Sequence, residues 1–286
     1  MKPNEPSRTA LIIARQRAAH QVLDHGSILY DPFAMKILRE DEKEVLQFAN
    51  GHPLASIGRL FTTARSRIAE DALSRAVERG IRQIVILGAG LDTFALRNPH
   101  GARQIRIYEV DHPATQAWKR QRLAEAQLAP PPWLVFVPVD FERDNLDETL
   151  AGAGFQANGP AFFTWLGVVP YLTKDAVSST LKFMAELPQA AVVFDYAEPF
   201  QNYLAERRAS IMATAARAAR RGEPWLSLFE PVELHHLLHS EGFDVVEDLG
   251  ASEIAQRFYG VLGQDIALGP GPHIVRAQSI AQLQRG

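Results

Sequence analysis

The sequence predicts an α/β protein: an open, seven-stranded, mostly parallel sheet with an antiparallel last strand, an N-terminal helical cap and a late helical insertion. Three observations predict it. Short apolar, β-branched runs such as Ile84-Val85-Ile86-Leu87 read as strands buried on both faces. From there on, such runs alternate with helical segments, as βα units on a parallel sheet do. Residues 1–80 hold only helical spacing, more helix than a doubly wound domain needs.

Residues 8–50 read as helical, with Thr9 as a cap and Asp31-Pro32 as a break. A second helical segment follows Pro53, presents Ile57, Leu60, Phe61 and Ala64 on one face, and ends at Gly80. Strand one (84–87) runs into Gly88-Ala89-Gly90, and strand two (105–111) ends in Glu109-Val110-Asp111. A helix over 113–128 stops at three prolines. Strand three (134–137) leads to Asp140-Phe141 and a short helix at 146–150. Strand four (161–166) is followed by Gly167 and Tyr171, and Thr173 caps a helix to Leu187. Strand five covers 191–196. Residues 200–222 form a basic, alanine-rich helix whose face Tyr203, Ile211 and Ala215 reads as a second piece of lid. A helix over 231–240, a strand near 244–249, a helix over 252–259 and a last strand over 273–277 complete the chain. The expected division is a helical cap at 1–80 and a sheet domain at 81–286 with an insertion at 198–228, together one structural unit.

Composition narrows the function. A net charge of −3 over 286 residues gives no basic surface for nucleic acid. The absence of cysteine excludes disulfides and thiolate metal sites. Leu11-Ile12-Ile13 is too short for a signal segment, and no apolar run is long enough to span a bilayer. A cytoplasmic protein without membrane or nucleic-acid partners is expected.

Residues 84–111 lay out strand, glycine turn, strand and acid, which is a nucleoside-binding half. Glycines let the backbone approach a ligand, and an acid about 20 residues on reaches ribose hydroxyls. The turn is Gly-x-Gly-x-Asp, however, with Thr93 where a dinucleotide motif has its third glycine. A pyrophosphate wants a bare helix N-terminus, and Asp92 places a negative charge there. A ligand with a cationic amine or sulfonium tolerates it; S-adenosylmethionine carries both. An NAD-dependent oxidoreductase is disfavoured. The alternative is that Asp92 merely caps the next helix.

Asp31-Pro32-Phe33-Ala34, Ala64-Arg65-Ser66-Arg67, Leu87-Gly88-Ala89-Gly90-Leu91-Asp92-Thr93, Tyr108-Glu109-Val110-Asp111, Pro138-Val139-Asp140-Phe141 and residues 165–172 follow in order. Together they resemble the leucine carboxyl methyltransferase family, which includes small-molecule O-methyltransferases of polyketide pathways. The resemblance covers nearly the whole chain. It implies a class I methyltransferase (Rossmann-like) fold and S-adenosylmethionine as methyl donor. It places Arg65 on the cofactor's carboxylate and Gly88 against its amino-acid portion, with Gly90 and Asp92 in the same turn. It places Asp111 on the ribose, and Asp140 and Phe141 at the adenine. A guanidinium suits a carboxylate through paired hydrogen bonds. One departure is Leu166-Gly167, where relatives often carry an acid. The methionine amine then needs Asp92, a backbone carbonyl or water.

Arg67 competes with Arg65, and Glu109 with Asp111. His235 and His239 share a helix face but lack the Glu of a zinc-binding HExxH, so no metal is expected. The arginines at 207, 208, 217, 220 and 221 read as a solvated face, a phosphate-bearing substrate being the other reading. Trp165 and Tyr171, near the carboxyl ends of the strands, are packing residues or walls of a substrate pocket. Base candidates at that edge are Asp195, Tyr196, Glu198 and His112. None forms a recognised dyad. A carboxylate, with a pKa of about 4, needs no base at pH 7, whereas a phenol at about 10 does. The expected function is therefore O-methylation of a carboxylate or acidic hydroxyl on a small polyketide-like acceptor. Methylation of a protein C-terminal carboxylate and non-catalytic S-adenosylmethionine binding are the alternatives. Nothing in the residues specifies an oligomeric state.

Overall fold

Ile84, Val85 and Leu87 are at most 1% exposed, as a strand covered on both faces requires. They belong to β1 (Gln83–Leu87), at the centre of the sheet in a computed structural model that describes residues 6–51, 55–141, 143–260 and 270–279. The other strands are β2 (Arg106–Asp111), β3 (Leu134–Pro138), β4 (Ala161–Trp165), β5 (Ala190–Ala197), β6 (Phe243–Leu249) and β7 (Pro272–Ser279). Their order is β3-β2-β1-β4-β5-β7-β6. β1 to β5 pair in parallel, and β7 runs antiparallel to both β5 and β6. The expected seven-stranded sheet with its reversed last strand is present. Pro138 ends the edge strand β3, where a missing N–H costs no ladder bond. β1 has β2 on one side and β4 on the other, so the connections diverge there and a crevice opens at the carboxyl ends.

The N-terminal helices are α1 (Arg8–Leu23), α2 (Ala34–Leu38), α3 (Glu42–Asn50) and α4 (Ala55–Glu78). Ser7, not Thr9, caps α1: its hydroxyl accepts from Ala10 N at 3.1 Å. Asp31 accepts from Phe33 N and marks the expected break. Pro53 lies outside the described residues. α4 does not behave as cap. Its Leu60, Ile68, Leu73 and Val77 share one core with Ile84, Ile107, Phe162 and Val193 of the sheet, so the helix is a wall of the sheet layer. Helices α1 to α3 instead bring Ala14, Ala18, Ile37, Leu38 and Val45 into a separate core that reaches Leu91 and Leu123.

Between β1 and β2 the chain makes only the short α5 (Phe94–Arg97) and a 3-10 turn. α6 (Pro113–Glu125), α7 (Leu146–Gly152) and α8 (Lys174–Ala185) follow. α9 (Ala205–Arg220) buries only Ala218 and lies on the surface. α10 (Pro231–Ser240) packs Leu234 and Leu238, with Val177 and Leu181 of α8, against the second sheet face. α11 (Ala251–Phe258) joins the α4 side. Among the described residues no helix is long and apolar enough to cross a membrane.

Candidate active site

Two cavities meet at the crevice. The first, about 430 Å³, is lined by the glycine turn, the ends of β1, β2 and β4, the N-terminal part of α1 and residues 222–224. The second, about 450 Å³, lies between α1, α4, the end of β5 and α9. Thr9, Ile13, Arg65, Gly167 and Tyr171 line both. Arg65, Gly88, Gly90, Asp92, Asp111, Asp140, Phe141 and Tyr171 all face the first cavity, as does His112. Trp165 faces neither. It is 0% exposed in the core beside Phe194, because side chains alternate along β4 and it is Thr164 that faces the crevice.

The glycine turn serves a purpose the sequence did not suggest. Gly88 has φ +65°, and a Cβ there would stand 2.2 Å from Val168 Cγ2. At Gly90, with φ +48°, it would meet Ala10 Cβ at 3.0 Å. Glycine here lets two protein segments close on the turn and wall the cavity. The Gly88 and Ala89 amides donate to Val110 O at 2.8 and 3.1 Å and so join the turn to β2.

Asp111 sits at the tip of β2. Its Oδ2 accepts from Gly90 N at 2.5 Å and its Oδ1 from His112 N at 2.7 Å. Burial pushes its carboxyl above the usual range against the pull of these amides. Each oxygen keeps a lone pair for a ligand hydroxyl. Glu109, two residues earlier on the same side, is spent elsewhere: Oε2 lies 2.5 Å from Lys119 Nζ on α6. Burial pushes it up to about 7.

Asp92 makes two contacts. Oδ1 accepts from Phe94 N at 2.6 Å, and Oδ2 pairs with Arg17 Nη1 at 3.3 Å. Burial opposes its charge, but Arg17, Lys119 and Arg97 hold its carboxyl below the usual range. The amide at the start of α5, the natural seat for a phosphate, is thereby occupied by a carboxylate.

Arg65 is 6% exposed. Its Nη1 donates to Asp195 Oδ2 at 2.8 Å, while Asp195 Oδ1 accepts from Gly167 N at 2.6 Å. A Cβ on Gly167, at φ +73°, would lie 2.7 Å from Arg65 Nη2, so the guanidinium rests against this glycine. Arg67 points outward to Asp71.

The base candidates are all engaged. Asp195 holds Arg65 and Gly167. Tyr196 donates to Asp248 at 2.8 Å. Glu198 accepts from Asn202 and Gly271 N and pairs with His273. His112 accepts from Ala114 N at the start of α6.

The sequence did not single out Arg17 and Glu223 in the first cavity or Tyr259 and Trp225 around the second, whereas Tyr203 was expected in the lid and Arg207, Arg217 and Arg221 on a solvated or phosphate-binding face. Ala10, Ala14 and Arg17 recur at helical spacing, as do Arg207, Ile211, Thr214 and Arg221. That periodicity was the available signal. Of the expected lid face, Tyr203 and Ile211 line the cavity and Ala215 does not.

This sheet order, with strand-end acids and a glycine turn around the crevice, is the class I methyltransferase architecture. The family model for leucine carboxyl methyltransferase matches residues 10–185, and the chain belongs to that family. It is 33% identical to the Bacillus subtilis (strain 168) protein YktD, a candidate S-adenosyl-L-methionine-dependent methyltransferase, over 97% of this chain and 99% of that one. Two solved structures share the fold. A candidate methyltransferase from Thermobifida fusca has TM-score 0.58 at 17% identity, covering 98% of this chain and 97% of its own. A DUF574 family protein from Streptomyces avermitilis has TM-score 0.57 at 17% identity, covering 95% and 97%.

Proposed function

We propose that this S-adenosylmethionine-dependent methyltransferase methylates a carboxylate or acidic-hydroxyl oxygen of a small, largely apolar molecule of polyketide-like character. The observation that carries this reading is the junction of two unlike cavities at Arg65, Gly167 and Tyr171. The first offers strand-end carboxylates and a guanidinium, a donor set suited to a nucleoside with an amino-acid tail. The second is mainly aromatic and aliphatic.

When bound, S-adenosylmethionine supplies a methyl group made electrophilic by its sulfonium. Asp111 would accept the ribose hydroxyls, and Asp140 and Phe141 would meet the adenine. Arg65 would take the methionine carboxylate, with Asp195 and Gly167 fixing its plane. Asp92, kept ionised beside Arg17, would present negative charge toward the amine in place of the acid missing at Leu166. The protein's contribution is alignment and exclusion of water. With Asp195, Tyr196 and Glu198 all bonded, the arrangement favours an acceptor already ionised at neutral pH.

The family description favours a second reading, methylation of a protein's C-terminal carboxylate. Calorimetry with S-adenosylmethionine, S-adenosylhomocysteine and NAD tests the cofactor site: the first two should bind and NAD should not. Asp111→Ala should cost ~1–3 kcal/mol of that affinity, since ribose hydroxyls lose their acceptor. Labelled-methyl incorporation into aromatic acids, phenols and leucine-terminated peptides then separates the acceptors. Transfer only to the peptides would overturn the small-molecule reading.

A further inference from the structure

Five arginines crowd residues 207–221, and three of them turn inward. Positions 207, 211, 214, 218 and 221 fall on one helical face. Arg207, Arg217 and Arg221 line the second cavity and are half-buried, whereas Arg208 and Arg220 are exposed. This corrects the expectation of a uniformly solvated basic face. The lining has one carboxylate among the described residues, Asp195, which Arg65 and Gly167 N already occupy. The cavity therefore carries an excess of positive charge on otherwise mainly apolar walls.

Two tyrosines complete the pattern. Tyr203 is 4% exposed and Tyr259 is 1% exposed, and both line this cavity. Their hydroxyls, and Nε of Arg221, are buried without a hydrogen-bond partner among the described residues. Burial raises both tyrosines above their ordinary pKa, and Glu198 adds to this for Tyr203. At neutral pH they are donors. Buried donors left unmet are costly and rare, so a cavity that collects them is shaped for a guest that accepts.

We infer that the second cavity takes an anionic methyl acceptor, an aromatic or polycyclic carboxylate. Arg221 holds its charge, Arg207 extends the positive wall along the same helix face, and Tyr203 and Tyr259 donate to acceptor groups along its length. This deepens the proposed function and rests on its acceptor reading. Arg207 and Arg221 stand ~21 Å apart along the helix, a row and not a converging cluster. A row offers one guanidinium at a time, which suits a monoanionic carboxylate better than a phosphate dianion, and guanidinium forks match carboxylates. Arg221 directly precedes Gly222 and Glu223, which line the cofactor cavity, so the accepting carboxylate belongs at that end. There a carboxylate oxygen bonds to the methyl carbon while the S–CH₃ electron pair returns to sulfur. One sulfonium and one carboxylate charge cancel, and no proton moves. The ester product then loses the hold of Arg221.

The test is calorimetry on the full chain saturated with S-adenosylhomocysteine. The probes are 2-naphthoate and anthracene-2-carboxylate, their methyl esters, their carboxamides and 2-naphthyl phosphate. The carboxylates should bind at least tenfold tighter than the esters and amides. Arg221→Gln should shrink that preference below threefold and Arg221→Lys should keep most of it, while Arg207→Gln, ~21 Å away along the helix, leaves it within about twofold. S-adenosylhomocysteine affinity within twofold of the parent protein certifies the fold of each variant. Carboxylates bound no tighter than esters, or a preference untouched in Arg221→Gln, would overturn the inference. So would a tenfold advantage for the phosphate. Failure of the parent protein to bind S-adenosylhomocysteine sinks the cofactor reading. Binding of S-adenosylhomocysteine without a carboxylate preference sinks this inference alone.

Discussion

Asp195 shows how a side chain with the right chemistry can be placed for another task. Both its oxygens are taken, one by Arg65 and one by the Gly167 amide, so it orients the guanidinium that separates the two cavities. Asp195→Asn keeps the amide contact and loses the charge facing Arg65. Charged hydrogen bonds are worth ~1.5–3 kcal/mol, so KM for S-adenosylmethionine should rise about 10–100-fold. The pH profile of kcat should keep its shape. A lost acidic limb in that profile would mean Asp195 acts as a base after all. The competing pairs were resolved by neighbours, not spacing. Arg67 has Asp71 one helical turn away at the surface, and Glu109 has Lys119 on the adjoining helix.

Among elements, the closing of α1 over the crevice stands out. Glu223 Oε1 accepts from Ser7 Oγ at 2.6 Å, and Oε2 accepts from Thr9 Oγ1 at 2.5 Å and Thr9 N at 3.2 Å. One carboxylate thus fastens the start of α1 to the segment after α9, at the wall of the first cavity. Glu223→Ala should speed amide exchange at the start of α1 by about tenfold or more, given ~1–3 kcal/mol per unmet polar group. The sheet amides should not change, and a uniform acceleration would point to global loss instead. Thr9 was legible as a polar residue at a helix start. Its partner more than 200 residues away was not, because local spacing carries no information about which distant carboxylate arrives.

For the molecule as a whole, the β5–β7–β6 edge carries a buried ionic network. Asp248 accepts from Tyr196 and pairs with His235 at 2.7 Å and His273 at 3.0 Å, while His273 also reaches Glu198 at 3.1 Å. Burial opposes charge on His273, but Asp248 and Glu198 raise it above the ordinary 6.5. Asp248 is likewise opposed by burial, yet His273, Tyr196 and His235 hold it below 3.8. The His273 contribution is complete below its unfolded pKa of 6.5 and fades as pH rises through the higher folded value. The Asp248 contribution is present above 3.8 and fades as pH falls through its lower folded value. The melting-temperature gap between the parent protein and His273→Gln should therefore be widest at about pH 5–6 and narrow as pH rises above 6.5 and through the higher folded value. A gap that widened with pH would show that His273 is neutral in the fold.

Strand count, the reversed last strand, the glycine turn and the positions of Asp111 and Asp140 were readable along the chain. They follow from short-range rules: β-branched runs, period-two burial, and acids at strand ends. The same rules read α4 as cap and left Trp165 open between packing residue and pocket wall. α4's apolar face could have met either a lid or a sheet, and alternation alone does not say which side of a strand opens on a crevice. The arginine face of α9 was visible as charge but not as a lining, since a basic helix looks alike over water and over a cavity. Assembly in three dimensions settled this. Tyr259 comes from a position far from Tyr203 and the α9 arginines, and their unmet hydrogen-bonding groups become apparent where their elements pack around one space.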